Sequence, residues 1–127
     1  MKFRIVAALI AATIASPALA APAMTAGEFL DRAEPLMARS QVALLFSGEA
    51  RRLMAVVRDS AQGLRAQQDA DRAAGRSSAT CLPPKGQAEI GATELIGYMK
   101  QLTPAQKSQS FDAAFRTFAA RKYPCRR

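Results

Sequence analysis

Apolar residues recur at intervals of three and four along most of the chain, and no stretch alternates cleanly between apolar and polar residues. Intervals of three and four keep side chains on one face of an α-helix, whereas a half-buried strand needs an interval of two. The pattern predicts an all-α fold. We expect a small four- to five-helix bundle around an aliphatic and aromatic core.

A capping box predicts where the first helix begins. In Thr25-Ala-Gly-Glu28 the hydroxyl and the carboxylate are placed to accept hydrogen bonds from the free N–H groups of a helix start. The helix is expected over about residues 26–39. Pro35 lies inside this range, and proline both lacks the N–H and clashes with the preceding turn. We therefore predict a kink or a split near Glu34.

The second helix is predicted to be the longest and to start at Ser47. Its apolar face is formed by Phe46, Ala50, Leu53, Met54, Val57, Ala61 and Leu64. Beyond Leu64 this face contains no further large apolar residues. Residues 65–76 contain good helix formers but have little to bury, so this end is expected to project into solvent or fray.

The remaining elements follow from proline positions and a second capping box. Residues 77–90 contain two adjacent prolines, which favour an extended connection. A third helix is expected over about 92–102, and Thr103-Pro-Ala-Gln106 marks a new start with proline at the first helical position. The last helix, about 109–122, carries an aromatic stripe that predicts a packed core rather than a ligand pocket, formed by Phe111, Phe115 and Phe118.

The first 20 residues have the three parts of a secretion signal. Lys2 and Arg4 form a positive start, an apolar run of 11 residues covers 5–15, and Ala18-Leu19-Ala20 is a small-x-small cleavage site. The run is too short to cross a bilayer, which needs roughly 20 apolar residues. The sequence thus predicts a periplasmic protein with no stable membrane insertion. Cleavage would leave one domain, residues 21–127.

The chain has two cysteines, Cys81 and Cys125. An even pair in an exported chain indicates a disulfide, because such bonds persist in the periplasm and beyond. The closed loop is worth roughly 4 kcal/mol in the chain-entropy model. A redox-active thiol would need a nearby resolving cysteine, and there is no Cys-x-x-Cys motif. We predict one structural disulfide.

Residue types limit the chemistry that the chain can perform. It contains no histidine, so no Ser-His or Cys-His nucleophile pair can form and His-bearing zinc sites are excluded. The nearest carboxylate pairs, Asp69 with Asp71 and Glu28 with Asp31, are expected to be solvated on helix surfaces. We predict that the protein is not an enzyme and that it uses no metal or cofactor.

Four arginines recur every seven residues on the second helix and form an arginine stripe, which consists of Arg51, Arg58, Arg65 and Arg72. Without the two cations of the signal, the formal net charge falls from +8 to +6. Three interpretations are open for the stripe: a solvated flank whose arginine stems cover apolar surface, an edge that binds an acidic protein, or a contact to an anionic membrane or wall polymer. Nucleic-acid binding is not expected, because no aromatic residues interleave with the arginines and the predicted location is periplasmic.

The C-terminal half carries a series of short motifs. Thr80-Cys81-Leu82-Pro83-Pro84 is followed by a helix ending in Tyr98-Met-Lys-Gln-Leu102, and the last helix closes with Tyr123-Pro124-Cys125. In order and spacing, residues 80–125 resemble the Rap/Tai-type immunity domain. That family consists of small exported helical proteins that protect bacteria against peptidoglycan-cleaving effectors delivered by type VI secretion.

The resemblance assigns roles to individual residues. Cys81 and Cys125 match the C-terminal cysteine pair of the family, and residues 82–84 match the turn after the first cysteine. The core positions of the family are matched by Leu95, Tyr98, Leu102, Phe115 and Phe118. Many members carry a further cysteine pair and a Gly-Tyr helix motif in the N-terminal half, and residues 21–79 have neither.

Members of such a family bind a cognate hydrolase and block its substrate groove, often as a homodimer. The resemblance therefore implies an immunity-type inhibitor that acts by occlusion on a secreted peptidoglycan hydrolase. Segments 66–79 and 103–110 are the candidates for an inserting loop. The alternative is a periplasmic helical module that binds an anionic surface, a polymer or an unfolded chain through its basic second helix.

Overall fold

A computed structural model describes residues 23–126, which contain six helices. They are α1 (Ala26–Met37), α2 (Gln41–Leu45), α3 (Gly48–Ala73), α4 (Ala92–Lys100), α5 (Pro104–Lys107) and α6 (Phe111–Lys122). Extended backbone within 23–126 pairs only at two isolated bridges. The predicted all-α class is confirmed, with four longer helices and two short ones. The secretion signal predicted for residues 1–20 lies outside the described residues.

Helix α1 begins as its capping box predicts. The Thr25 hydroxyl accepts a hydrogen bond from the N–H of Glu28 at 3.1 Å, and the Glu28 carboxylate accepts one from the N–H of Thr25 at 2.8 Å. The predicted split at Pro35 is wrong, because the helix continues through it to Met37. Pro35 lies in the last turn, where its missing N–H removes a single hydrogen bond near the end of the helix.

Helix α2 is not foreseen by the apolar periodicity, which places the next helix start at Ser47. Two serine caps follow one another instead. The Ser40 hydroxyl accepts from the N–H of Ala43 at 3.3 Å, and the Ser47 hydroxyl accepts from the N–H of Ala50 at 3.1 Å. A five-residue helix therefore precedes α3, and none of its residues is buried.

Helix α3 runs for 26 residues and remains helical well past Leu64. The expectation that its end frays is wrong for residues 65–73, which stay helical. Most of these residues do face solvent, as predicted, but this end also holds the next segment of the chain. The Arg65 guanidinium donates to the carbonyl oxygen of Pro83 at 2.7 Å, and the Gln68 side-chain oxygen accepts from the N–H of Leu82 at 3.0 Å. Gly75, at φ 68°, then supplies the left-handed backbone that ends the helix.

The core lies where α1 meets α3, α4 and α6. Its largest fully buried side chains are Met99, Phe111 and Phe115. The Phe29 ring packs on Phe111 with 4.3 Å between centroids, and Phe111 packs on Phe115 at 5.8 Å. The aromatic stripe of the last helix is therefore core, as predicted.

The two ends of the described chain are tied into this core. At the start of α1, the N–H of Ala26 donates to the carbonyl of Gln109 at 2.9 Å, and the N–H of Phe111 donates to the carbonyl of Met24 at 2.8 Å. At the end of α6, Cys125 forms a disulfide with Cys81, with Cα atoms 4.8 Å apart. The predicted cysteine pairing is confirmed.

Candidate binding surface around α2

The family-motif residues near the disulfide join residues 80–89, which we call the 80s segment, to the end of α6. We call this contact the clasp. The N–H of Cys81 donates to the carbonyl of Tyr123 at 2.9 Å, and Thr80 pairs with Pro124 in an antiparallel bridge. The Tyr123 hydroxyl exchanges two 3.2 Å hydrogen bonds with the backbone of Glu89. These contacts stabilise the fold.

Two further motif residues, Tyr98 and Leu102, lie at the core edge, where the sequence predicts them. The Tyr98 ring packs on Phe118 with 5.3 Å between centroids, and the Arg121 guanidinium lies 5.6 Å from the centre of the Tyr98 ring. Both residues therefore contribute packing.

The two ends of the arginine stripe differ in whether their guanidinium groups contact other residues of the fold. At the C-terminal end of α3, Arg65 is bonded to the Pro83 carbonyl, and the Arg72 guanidinium lies 3.6 Å from the Asp69 carboxylate. At the N-terminal end, Arg51 and Arg58 are exposed, and neither forms an ion pair with a carboxylate of the described residues. Arg51 and Arg58 are therefore available to an outside partner without losing a contact within the fold, and Arg72 would give up only an exposed surface ion pair.

Large apolar side chains are exposed beside these free arginines. We call Val42, Leu45 and Phe46 the apolar apex; they are 66%, 74% and 81% exposed. Phe46 and Met54 were predicted to face the core, and this prediction is wrong for both. Phe46 caps α2 and precedes α3, so it does not share the buried face of α3, while Met54 lies at the edge of a groove.

This apolar groove has a volume of about 550 Å³ and lies between α1, α2, α3 and the start of α4. Its lining is formed by Phe29, Ala33, Leu36, Met37, Leu44, Leu45, Ala50, Arg51, Leu53, Met54, Val57, Ile90, Ala92, Leu95 and Ile96. Arg51 is the one charged residue among them. The sequence pattern assigns most of these positions to the core and does not reveal that the helices leave a gap. The apolar run 42–46 directly after Ser40 is the signal that could have located α2.

A second cleft, of about 360 Å³, lies between the C-terminal half of α3 and α6. Several of its polar side chains already have partners within the fold. Asp71 accepts hydrogen bonds from Arg76 and Ser78, and Arg116 is paired with Asp112 and Gln67. A ligand in this cleft would have to compete with these contacts.

Lys122 is a titratable group whose pKa is shifted by a neighbour. A hydrogen bond to the Glu94 carboxylate raises the pKa of Lys122 above its ordinary value of 10.5. This pair joins α4 to α6 away from the groove. Over residues 23–126, no three His, Cys, Asp or Glu residues lie close enough together to hold a metal ion, and no helix combines the length and apolarity needed to cross a membrane.

No protein-family model matches the chain, and no curated protein or solved structure matches it. The resemblance of residues 80–125 to the Rap/Tai-type immunity domain therefore stays a prediction.

Proposed function

We propose that the protein is a periplasmic, non-catalytic inhibitor of the immunity type, which binds a secreted peptidoglycan hydrolase and occludes its substrate groove. The proposal combines the predicted export signal and the C-terminal motifs with one structural observation, the exposed apolar apex. An exposed cluster of large apolar side chains marks an interaction surface, because leaving it in water forfeits the stabilisation that burial provides.

The apex has the composition of a protein contact. Val42 and Phe46 are four residues apart and project from the same side of α2. Arg39 precedes this helix, and Arg51 and Arg52 follow it. Aromatic and arginine side chains are enriched at the centres of protein interfaces. The apex, rather than segments 66–79 or 103–110, is therefore our choice for the part that contacts the hydrolase.

The other two segments are less suited to insertion. Most of 66–79 belongs to α3 or is bonded to it through Asp71. Segment 103–110 contains α5 and pairs with the start of α1 through Gln109. Moving either would break hydrogen bonds within the fold, whereas the apex can be covered without any such loss.

Periplasmic co-expression with a peptidoglycan amidase, taken from beside this gene where one is encoded there, tests the proposal. The wild type should delay lysis, followed as optical density, and the double variant Val42→Asp/Phe46→Asp should lose this protection. The matched control is Ala113→Asp/Thr117→Asp, two exposed positions with the same spacing on α6, which should still protect. Absence of any neighbouring hydrolase, together with lysis at an unchanged rate, would reject the inhibitor function.

A second candidate is binding to an anionic polymer, lipid surface or unfolded chain. It is favoured by Arg51, Arg52 and Arg58, which are exposed and form no ion pair with a described carboxylate. Salt distinguishes the two functions. Binding through exposed charge should collapse as the screening length falls to about 8 Å at physiological ionic strength, while a shape-matched protein interface should persist.

A further inference from the structure

We propose that the apolar groove is a binding site for a long-chain carboxylic acid, with the hydrocarbon chain inside the groove and the carboxylate on the Arg51 guanidinium. This inference goes beyond the inhibitor function and does not depend on it. The inhibitor contact is assigned to the apolar apex and is tested at Val42 and Phe46, which do not line the groove; Leu45 belongs to both surfaces.

The shape and lining of the groove fit a small apolar molecule. Its volume of about 550 Å³ lies within the range of roughly 300–1,000 Å³ typical of small-molecule sites. Such sites combine an apolar wall with a few placed polar groups. Here fourteen lining residues are apolar or aliphatic and one, Arg51, is charged.

The charge of the groove selects the sign of the ligand's head group. No carboxylate lines the groove. Glu49, the acidic residue in the first turn of α3, is 3.7 Å from Arg32 and so is already paired. Arg51 has no carboxylate partner among the described residues, and a guanidinium binds a carboxylate through two parallel hydrogen bonds.

An occupant would also bury apolar surface of the groove walls that is now exposed to water. Met37, Leu45 and Met54 line it, yet they are 44%, 74% and 63% exposed. A hydrocarbon chain between α1 and α3 would cover the inward sides of these three residues. A bilayer or a flat protein surface would cover the outer side of α2 but would not enter the groove, whose floor is formed by buried residues such as Leu53 and Leu95.

Fluorescence titration of the purified full chain with cis-parinaric acid tests the site. We expect saturable binding of one molecule per chain. Ala92→Phe should weaken it about 10-fold or more by filling the groove, because Ala92 is an exposed lining residue. The control Thr93→Phe changes the neighbouring exposed residue, which does not line the groove, and should bind like the wild type.

The head-group contact is tested separately. Arg51→Gln should weaken binding about 3- to 10-fold, and Arg58→Gln, an exposed arginine outside the groove, should not. Met54→Glu adds a repelling carboxylate at an exposed lining position and should abolish binding, while Met54→Gln should retain most of it. These exposed substitutions keep the test decisive if Ala92→Phe fails to fold, which thermal melts would reveal.

Several outcomes would overturn the proposal. One is absence of saturable binding, and another is equal weakening by Ala92→Phe and Thr93→Phe. Binding to phosphatidylglycerol vesicles that survives Ala92→Phe, without binding of free parinaric acid, would assign the surface to a membrane. A dimer in light scattering that Ala92→Phe dissociates would show that a second copy fills the groove. None of these results bears on hydrolase inhibition, which the Val42/Phe46 variant tests alone.

Discussion

The backbone N–H of Cys81 donates to the carbonyl oxygen of Tyr123 at 2.9 Å, two residues before the cysteine to which Cys81 is covalently bonded. The disulfide therefore joins two segments that already pair through their backbones. Noncovalent contacts position the two sulfur atoms, and the bond then removes conformational freedom from the unfolded chain.

Loss of the disulfide should lower stability without changing the helical fold. The cysteines are 44 residues apart in sequence, and a loop of this size contributes about 2–4 kcal/mol. Cys81→Ser/Cys125→Ser should lower the melting temperature by roughly 8–32 °C, at about 4–8 °C per kcal/mol. Thermal melts followed by circular dichroism measure this. An unchanged melt under reductant would contradict the stabilising role.

Arg65 should matter for stability, and Arg58 should not. The Arg65 guanidinium donates to the Pro83 carbonyl at 2.7 Å, whereas Arg58 is exposed. A hydrogen bond from a charged donor contributes about 1.5–3 kcal/mol. Urea unfolding of Arg65→Met should show a loss near this range, and Arg58→Met should stay within about 0.5 kcal/mol of wild type. Equal effects would mean that the bond to Pro83 does not hold the 80s segment.

Truncation of two phenylalanines should have very different effects on stability. Phe115 is 0% exposed and Phe46 is 81% exposed. Phe115→Ala should cost about 3–5 kcal/mol because it leaves a cavity among the core rings. Phe46→Ala should change the unfolding free energy by less than about 0.5 kcal/mol. Urea denaturation checks both, and a large loss for Phe46→Ala would show that the apolar apex is needed for folding.

The ion pair between Lys122 and Glu94 should lose its stabilising effect only at strongly alkaline pH. Because the pKa of Lys122 is raised above 10.5 in the folded protein, its stabilising effect is fully present below that value. The effect is lost as pH rises through the folded-state pKa. Side-chain NMR titration should give a pKa above 10.5 for Lys122 and a return towards 10.5 in Glu94→Gln. An equal pKa in the two proteins would contradict the hydrogen bond.

Local sequence signals predict the helix starts well. The capping boxes at Thr25 and Thr103 and the serine cap at Ser47 all form as expected. Each depends on contacts between residues three apart, so a short window contains the whole interaction. The aromatic core and the disulfide follow in the same way from helical spacing and from the cysteine count.

Contacts between distant residues explain the failures. Gln68 holds Leu82 from 14 positions away, and Arg65 holds Pro83 from 18. No local pattern contains such a pair, so the end of α3 looks unsupported in the sequence. The groove is similarly invisible, because it arises where Leu36, Leu53 and Ile96 from three helices fail to close over one another. Periodicity identifies an apolar face but not the distance to the face opposite.

Because of the disulfide, the consequence of a single backbone cleavage depends on where along the chain the cut falls. A cut between residues 81 and 125 leaves both fragments covalently joined. A cut in α2, where no residue is buried, separates α1 from everything that follows. Helix α1 would then be retained only by noncovalent contacts, which include the packing of Phe29 and Leu30 and the backbone hydrogen bond from Ala26 to Gln109. A single proteolytic nick at the most exposed apolar helix would thus turn one chain into a two-piece assembly, whose lifetime depends on how firmly α1 is packed.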